Sequence, residues 1–153
     1  MNPEGPYVSL ATLCESVLQE AENRFTLVRL LDRMEIAFPA DAPDPFPSVT
    51  IQIKAVIAFK SGGFVGEKKL AVKTVDPKGE IAAAAFESRL VFEGNEHGTQ
   101  LVLSLNIGTD REGLYWLDVL LDEEMVTRIP LRLTFTRQLQ ADQTEAVPDS
   151  AQK

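Results

Sequence analysis

Cysteine and histidine are almost missing from this chain, and that scarcity removes whole classes of chemistry. Cys14 stands alone, so no intramolecular disulfide exists, and His97 stands alone, so a His-rich metal site is excluded. Tryptophan occurs once and tyrosine twice, which makes the stacked platforms of a sugar-binding groove scarce. Basic residues are outnumbered, 15 against 23 acidic ones, for a net charge of −8. Such a balance argues against phosphate-dominated nucleic-acid binding and against an anionic membrane surface. Apolar runs stop at about half a dozen residues, where a membrane span needs ~20. The first residues, Met1-Asn2-Pro3-Glu4-Gly5-Pro6, have neither the basic nor the apolar stretch of a secretory signal. The expectation is a cytoplasmic protein, with which a single unpaired thiol agrees.

What is present is a period of two. From residue 47 onward, apolar side chains alternate with polar ones, the pattern of strands with one buried face. Val49, Ile51, Ile53, Ala55, Ile57 and Phe59 share a side, and Leu70, Val72 and Thr74 follow after Ser61-Gly62-Gly63. Asp76-Pro77-Lys78-Gly79 reads as a turn, with proline presetting φ and glycine accepting a positive one. Ile81 opens the next strand, whose phase slips within residues 82–85 before Phe86, Ser88, Leu90 and Phe92, which predicts a β-bulge. Leu101, Leu103, Leu105 and Ile107 make another strand, and Tyr115, Leu117, Val119 and Leu121 make the one after it. In the last, Met125, Thr127, Ile129, Leu131, Leu133 and Phe135 are expected inward, with Val126, Arg128 and Pro130 outward. Pro130 has no N–H, so this strand is expected at a sheet edge or with no ladder donor there.

Residues 7–38 fit two patterns. Leu10, Leu13, Cys14, Val17, Leu18 and Ala21 follow helical spacing, while Val8, Leu10, Thr12, Cys14 and Ser16 alternate as a strand. Asn23 offers a positive-φ turn before Phe25–Leu31 in the second case. The proline-dense stretch 38–47 supports neither helix nor ladder and is expected to arch across one end of the sheets. The polar stretch 137–153 lacks apolar mass and is expected to be disordered. The organisation is thus an N-terminal extension (1–6), a β domain (7–136) and a tail. Six strands at about ten-residue spacing argue for an antiparallel sandwich, and a hairpin at 7–38 would bring the number to eight.

Leu13-Cys14-Glu15-Ser16-Val17-Leu18, followed by Leu27-Val28-Arg29-Leu30-Leu31-Asp32-Arg33-Met34, resembles a group of small bacterial proteins of unknown function. Gly113, Tyr115, Leu117 and Val119 match that group's Gly-x-Tyr-x-Leu-x-Val strand, and Pro130, Leu131 and Leu133 its closing Pro-Leu-x-Leu. The resemblance spans residues 7–135. It implies an immunoglobulin-like β-sandwich, favours a hairpin at 7–38, and implies no activity. At the first turn the chain departs from the group, with Glu22-Asn23-Arg24 in place of an Asp-Gly pair.

Candidate chemistry is thin. Cys14 sits at an apolar position, where a free cysteine behaves as a small hydrophobe, and His97 reads as a solvated loop residue. No serine occupies a Gly-x-Ser-x-Gly elbow. Gly62-Gly63-Phe64-Val65-Gly66-Glu67-Lys68-Lys69 lacks the spacing of a phosphate loop and reads as a flexible hairpin connection. Asp41, Asp44, Asp118, Asp122, Glu123 and Glu124 supply loop carboxylates that a metal-dependent or acid/base enzyme would need to gather in one place. No catalytic, cofactor or metal residues are assigned. Trp116 alternates out of phase with Tyr115 and Leu117. It is therefore either an exposed anchor beside Leu114 and Leu120, or is covered by a loop, the N-terminal segment or a second sheet. Tyr115, close to the turn opened by Asp110, is placed to act as a tyrosine corner. Arg29, Asp32 and Arg33 are expected as an outward charged row on the second strand, able to tune a partner's docking. The reading is a non-enzymatic module that binds another protein or itself. The alternatives are the carboxylate enzyme and, third, a small-ligand or polysaccharide module.

Overall fold

Alternation of this kind closes into two layers. The structure, a computed structural model, describes residues 4–139, with the backbone alone over 82–85. Among the described residues, nine strands form: β1 (Tyr7–Gln19), β2 (Phe25–Leu31), β3 (Arg33–Phe38), β4 (Val49–Lys60), β5 (Val65–Val75), β6 (Ile81–Glu93), β7 (Gly98–Thr109), β8 (Gly113–Leu121) and β9 (Glu124–Arg137). One sheet has the order β2-β1-β4-β7 and the other β3-β9-β8-β5-β6. Between them lies one cluster built from Leu13, Ile53, Ile57, Phe59, Leu70, Phe92, Tyr115, Leu117 and Leu131, all at most 2% exposed. Each such side chain taken from water contributes about 1.5–3 kcal/mol.

The six strands expected after residue 47 are present, and the helical alternative for residues 7–38 is not. β1 and β2 form a hairpin through Glu22 and Asn23, whose φ values of 62° and 58° close the turn without glycine. A third strand, β3, then switches to the other sheet and runs parallel to β9, from Arg33↔Arg132 to Phe38↔Arg137. All other strand pairs are antiparallel. Pro130 does not mark an edge, because β9 lies between β3 and β8. It precedes the first β3 partner, Arg132, so at Pro130 β9 has a neighbour on one side only.

Register slips account for the other departures. The β5–β6 register shifts on both sides of Thr74, opposite the alanine run where the phase slip falls. A second shift between Val119 and Leu120 pairs Leu120 with Met125, turning Met125 outward to 49% exposure and Val126 toward the core. Both residues fall opposite to the simple alternation. Asp122 and Glu123 join β8 to β9 as a two-residue turn with both φ positive, the form that matches strand twist. Ser61–Phe64 is not a hairpin connection, since β4 and β5 belong to different sheets. Gly62 (φ +59°) lies so close to the Glu4 carbonyl that a Cβ would come within 3.0 Å of it, so the loop is packed rather than flexible.

At the end of the sandwich where β7 passes to β8, the Tyr115 hydroxyl donates to the Arg111 carbonyl at 2.9 Å and meets the Thr109 hydroxyl. This is the expected tyrosine corner. With β3 running parallel to the last strand, it makes the architecture an immunoglobulin-like β-sandwich. The proline connector crosses between the sheets at this end too, where Phe46 stacks on Phe38 at 4.3 Å and Arg137 lies over Phe46 at 4.6 Å. The expected disordered tail falls on residues 140–153, outside the described residues. β9 itself continues through Arg137. Among the described residues no helix is long and apolar enough to cross a membrane.

Candidate functional site

Tyr115 is buried at 1%, and a strand turns successive side chains to opposite faces. Trp116 therefore stands on the outer face of the five-stranded sheet. Its cross-strand neighbours are Val75 on β5 and Pro130 on β9, and Val75 is in turn opposite Ile81 on β6. Ile81 is 60% exposed. Four strands thus contribute one apolar row: Ile81, Val75, Trp116, Pro130. The Arg128 guanidinium lies 4.3 Å above the indole, and its Nε donates to Asp118 Oδ1 at 3.0 Å. Trp116 is half-buried as a result.

Leu114 and Leu120 share this face at either end. Leu114 is opposite Arg132, which pairs with Arg33, so Arg33 lies in the row beside the tryptophan's. Leu120 is opposite Ala71 and Met125. Ion pairs Lys69–Glu87 (3.4 Å) and Arg89–Glu67 (3.3 Å) frame the β6 side. Arg29 does not belong here. It is on β2 in the other sheet, has φ of 57°, and bonds Glu15 at 3.0 Å. The expected Arg29–Asp32–Arg33 row is broken because Asp32 is the bend between two strands of different sheets. Sequence reasoning missed Arg128 and Asp118 as the indole's clamp. Their pairing depends on the bulge beside Leu120, which no periodicity reveals.

The remaining candidates scatter. Cys14 is fully buried, and burial raises its thiol pKa above the ordinary value. His97 is exposed and meets Glu93 at 3.1 Å. Asp41 and Asp44 lie in the connector beside Arg137, whereas Asp122, Glu123 and Glu124 lie at the far end of β9, roughly 40 Å away for a 14-residue strand. Asp118 is committed to Arg128. Among the described residues no three His, Cys, Asp or Glu side chains come together so as to hold a metal ion. A recess of about 360 Å³ opens by the β8–β9 turn among Pro6, Tyr7, Lys68 and Glu124, and Lys68 there pairs with Asp122 at 3.5 Å.

A family model matches residues 9–134. The chain belongs to DUF6941, a family of unknown function. Membership in DUF6941 thus fixes kinship over nearly the whole sandwich and assigns no activity. No curated protein matches. Among solved structures, the chain is similar to an immunoglobulin-like protein from Pseudomonas aeruginosa (12% identity, 87% of this chain and 99% of that one, TM-score 0.41). It is also similar to a β-glucosidase from Listeria innocua (10% identity, 86% of this chain, TM-score 0.46). A third likeness is to the alkylpurine DNA glycosylase AlkC of Pseudomonas fluorescens, bound to DNA containing an abasic-site analogue (12% identity, 81% of this chain, TM-score 0.42). The chain spans 17% of the glucosidase and 30% of the glycosylase.

Proposed function

We propose that this protein is a non-enzymatic docking module that binds a protein partner across the outer face of its five-stranded sheet. The observation carrying the proposal is the apolar row Ile81, Val75, Trp116 and Pro130, set among ion-paired charges. A central aromatic within a polar rim is how binding energy is concentrated at protein interfaces. Leu114, Leu120 and Arg33 border the row, and Arg33, exposed, beside Arg132 and 3.8 Å from Asp32, offers a partner charges of both signs at the rim. Arg29 takes no part. Neither nucleic acid nor membrane is a partner in this reading, in keeping with the net charge of −8. The proposed compartment is the cytoplasm, where an unpaired thiol such as Cys14 stays reduced.

The test is retention from native cells at endogenous levels. The wild-type chain should hold a defined protein that Trp116→Ala releases, with the variant's melting temperature close to wild type. If wild type and Trp116→Ala retain the same proteins, the face is not the docking site.

A further inference from the structure

The two outer faces of the sandwich differ in charge. On the five-stranded sheet every strand carries charged side chains, from Asp118 alone on β8 to Glu67, Lys68, Lys69 and Lys73 on β5. On the four-stranded sheet the outward positions are Leu10, Thr12, Cys14, Ser16 and Leu18 of β1, Thr26, Val28 and Leu30 of β2, and alternate residues of β4 and β7, with Cys14 and Val56 at the centre already buried by their neighbours. β7 has no charged residue in its 12 positions. Among the outward strand positions of this sheet the charged side chains are Lys54 and Lys60; carboxylates reach the face from its margins, Glu20 bonding Thr26 and Glu96 bonding Tyr7, and Glu15 is paired with Arg29. Lys54 is already bonded to Ser104, and Lys60 ends its strand. Leu30 is 65% exposed, Leu18 54% and Leu10 42%. Depletion of charge, more than bulk apolarity, is what distinguishes the centre of a protein interface.

We infer that this face is covered by the same face of a second copy of the chain, forming a two-fold dimer. Size supports that occupant. Strands rising ~3.3 Å per residue and spaced ~4.8 Å apart give β1, β2, β4 and β7 a face of roughly 700 Å², near the ~800 Å² per partner of a stable interface. Shape supports it as well: small residues (Thr12, Ser16, Ala58, Ser104) lie between branched ones (Leu10, Val28, Leu30, Val102). Such a surface packs on its own image as sheets do within a sandwich. Charge supports it a third time. Two chains of net −8 repel over most of their surface, and this face, where carboxylates reach only the margins at Thr26 and Tyr7 and Glu15 is paired with Arg29, is where they approach with least repulsion. The inference is independent of the Trp116 face, which stays open on both copies.

Sedimentation velocity of the full chain at tens of micromolar tests it. The wild type should run at twice its 16.9 kDa mass. Leu30→Glu and Val102→Glu should each weaken the dimer at least tenfold, and Trp116→Ala should leave the mass unchanged. Leu30 is exposed, so its variant keeps the fold, as circular dichroism would verify, even if the half-buried Val102 site does not tolerate glutamate. A monomeric wild type overturns the inference, as does a dimer that survives both substitutions. A monomer that uses this face for a different protein overturns the second copy as its occupant.

Discussion

Arg128 lies 4.3 Å above the ring of Trp116 and is held there by Asp118, whose carboxylate is only 14% exposed. A guanidinium stacked on indole contributes about 0.5–1 kcal/mol at a surface site. More consequentially, it sets how much of the indole a partner or solvent can reach. Trp116 is the chain's single tryptophan, so its fluorescence reports this contact alone. Arg128→Ala should raise acrylamide quenching of that emission and shift it to the red while costing less than about 1 kcal/mol of stability. Unchanged quenching would mean that something other than Arg128 shields the ring.

The tyrosine corner fixes which way Trp116 faces. Tyr115→Phe leaves Thr109, 8% exposed, and the Arg111 carbonyl short of one partner in a place where water is scarce. The expected cost is about 1–3 kcal/mol in urea denaturation. A cost near zero would show that the corner does not stabilise the end of the sandwich.

Much of this was legible in residue order, for a physical reason. A strand with one face in the core must alternate, so β4 to β9 and the burial of Tyr115, Leu117 and Leu131 follow from spacing. Asp122-Glu123 and Asp76-Pro77-Lys78-Gly79 turn where their residues allow it. What alternation cannot encode is the partner of each strand. The switch of β3 to a parallel place beside β9, the bulge that turns Met125 outward, and the Arg128–Asp118 clamp are all consequences of pairing between distant or slipped segments. Trp116 was visible as an outward aromatic. Its neighbours Val75 and Ile81 were not, since they become adjacent only through register.

Asp76 gives the fold a pH dependence. Its Oδ1 accepts the backbone N–H groups of Glu80 and Lys78, each at 2.9 Å, and Arg111 lies 3.8 Å from its other oxygen. The Glu80 bond is the largest cause of a carboxyl pKa held below the ordinary value. A depressed folded pKa stabilises at pH above the unfolded value near 3.9, and the gain is lost as pH falls through the folded one. Asp76→Asn should therefore be less stable than wild type at neutral pH. The gap between the two should close progressively below about pH 4. A gap that stays constant from neutral to acid pH would exclude Asp76 as its source.

Cys14 should be inert. Burial raises its thiol pKa despite the opposing charge of Lys54, and thiolate, not thiol, is the reactive form. A disulfide reagent at neutral pH should find no reactive thiol in the native chain and one after denaturation. Rapid labelling of the native protein would contradict full burial.

Hydroxyl-radical footprinting of the chain alone and with the protein it retains tests the docking face most directly, because tryptophan and methionine are oxidised readily. In the complex, oxidation of Trp116 and Met125 should fall severalfold, while Leu30, exposed on the other sheet, should be modified as before. If Trp116 and Met125 are oxidised equally with and without that protein, the outer face of the five-stranded sheet is not where it binds.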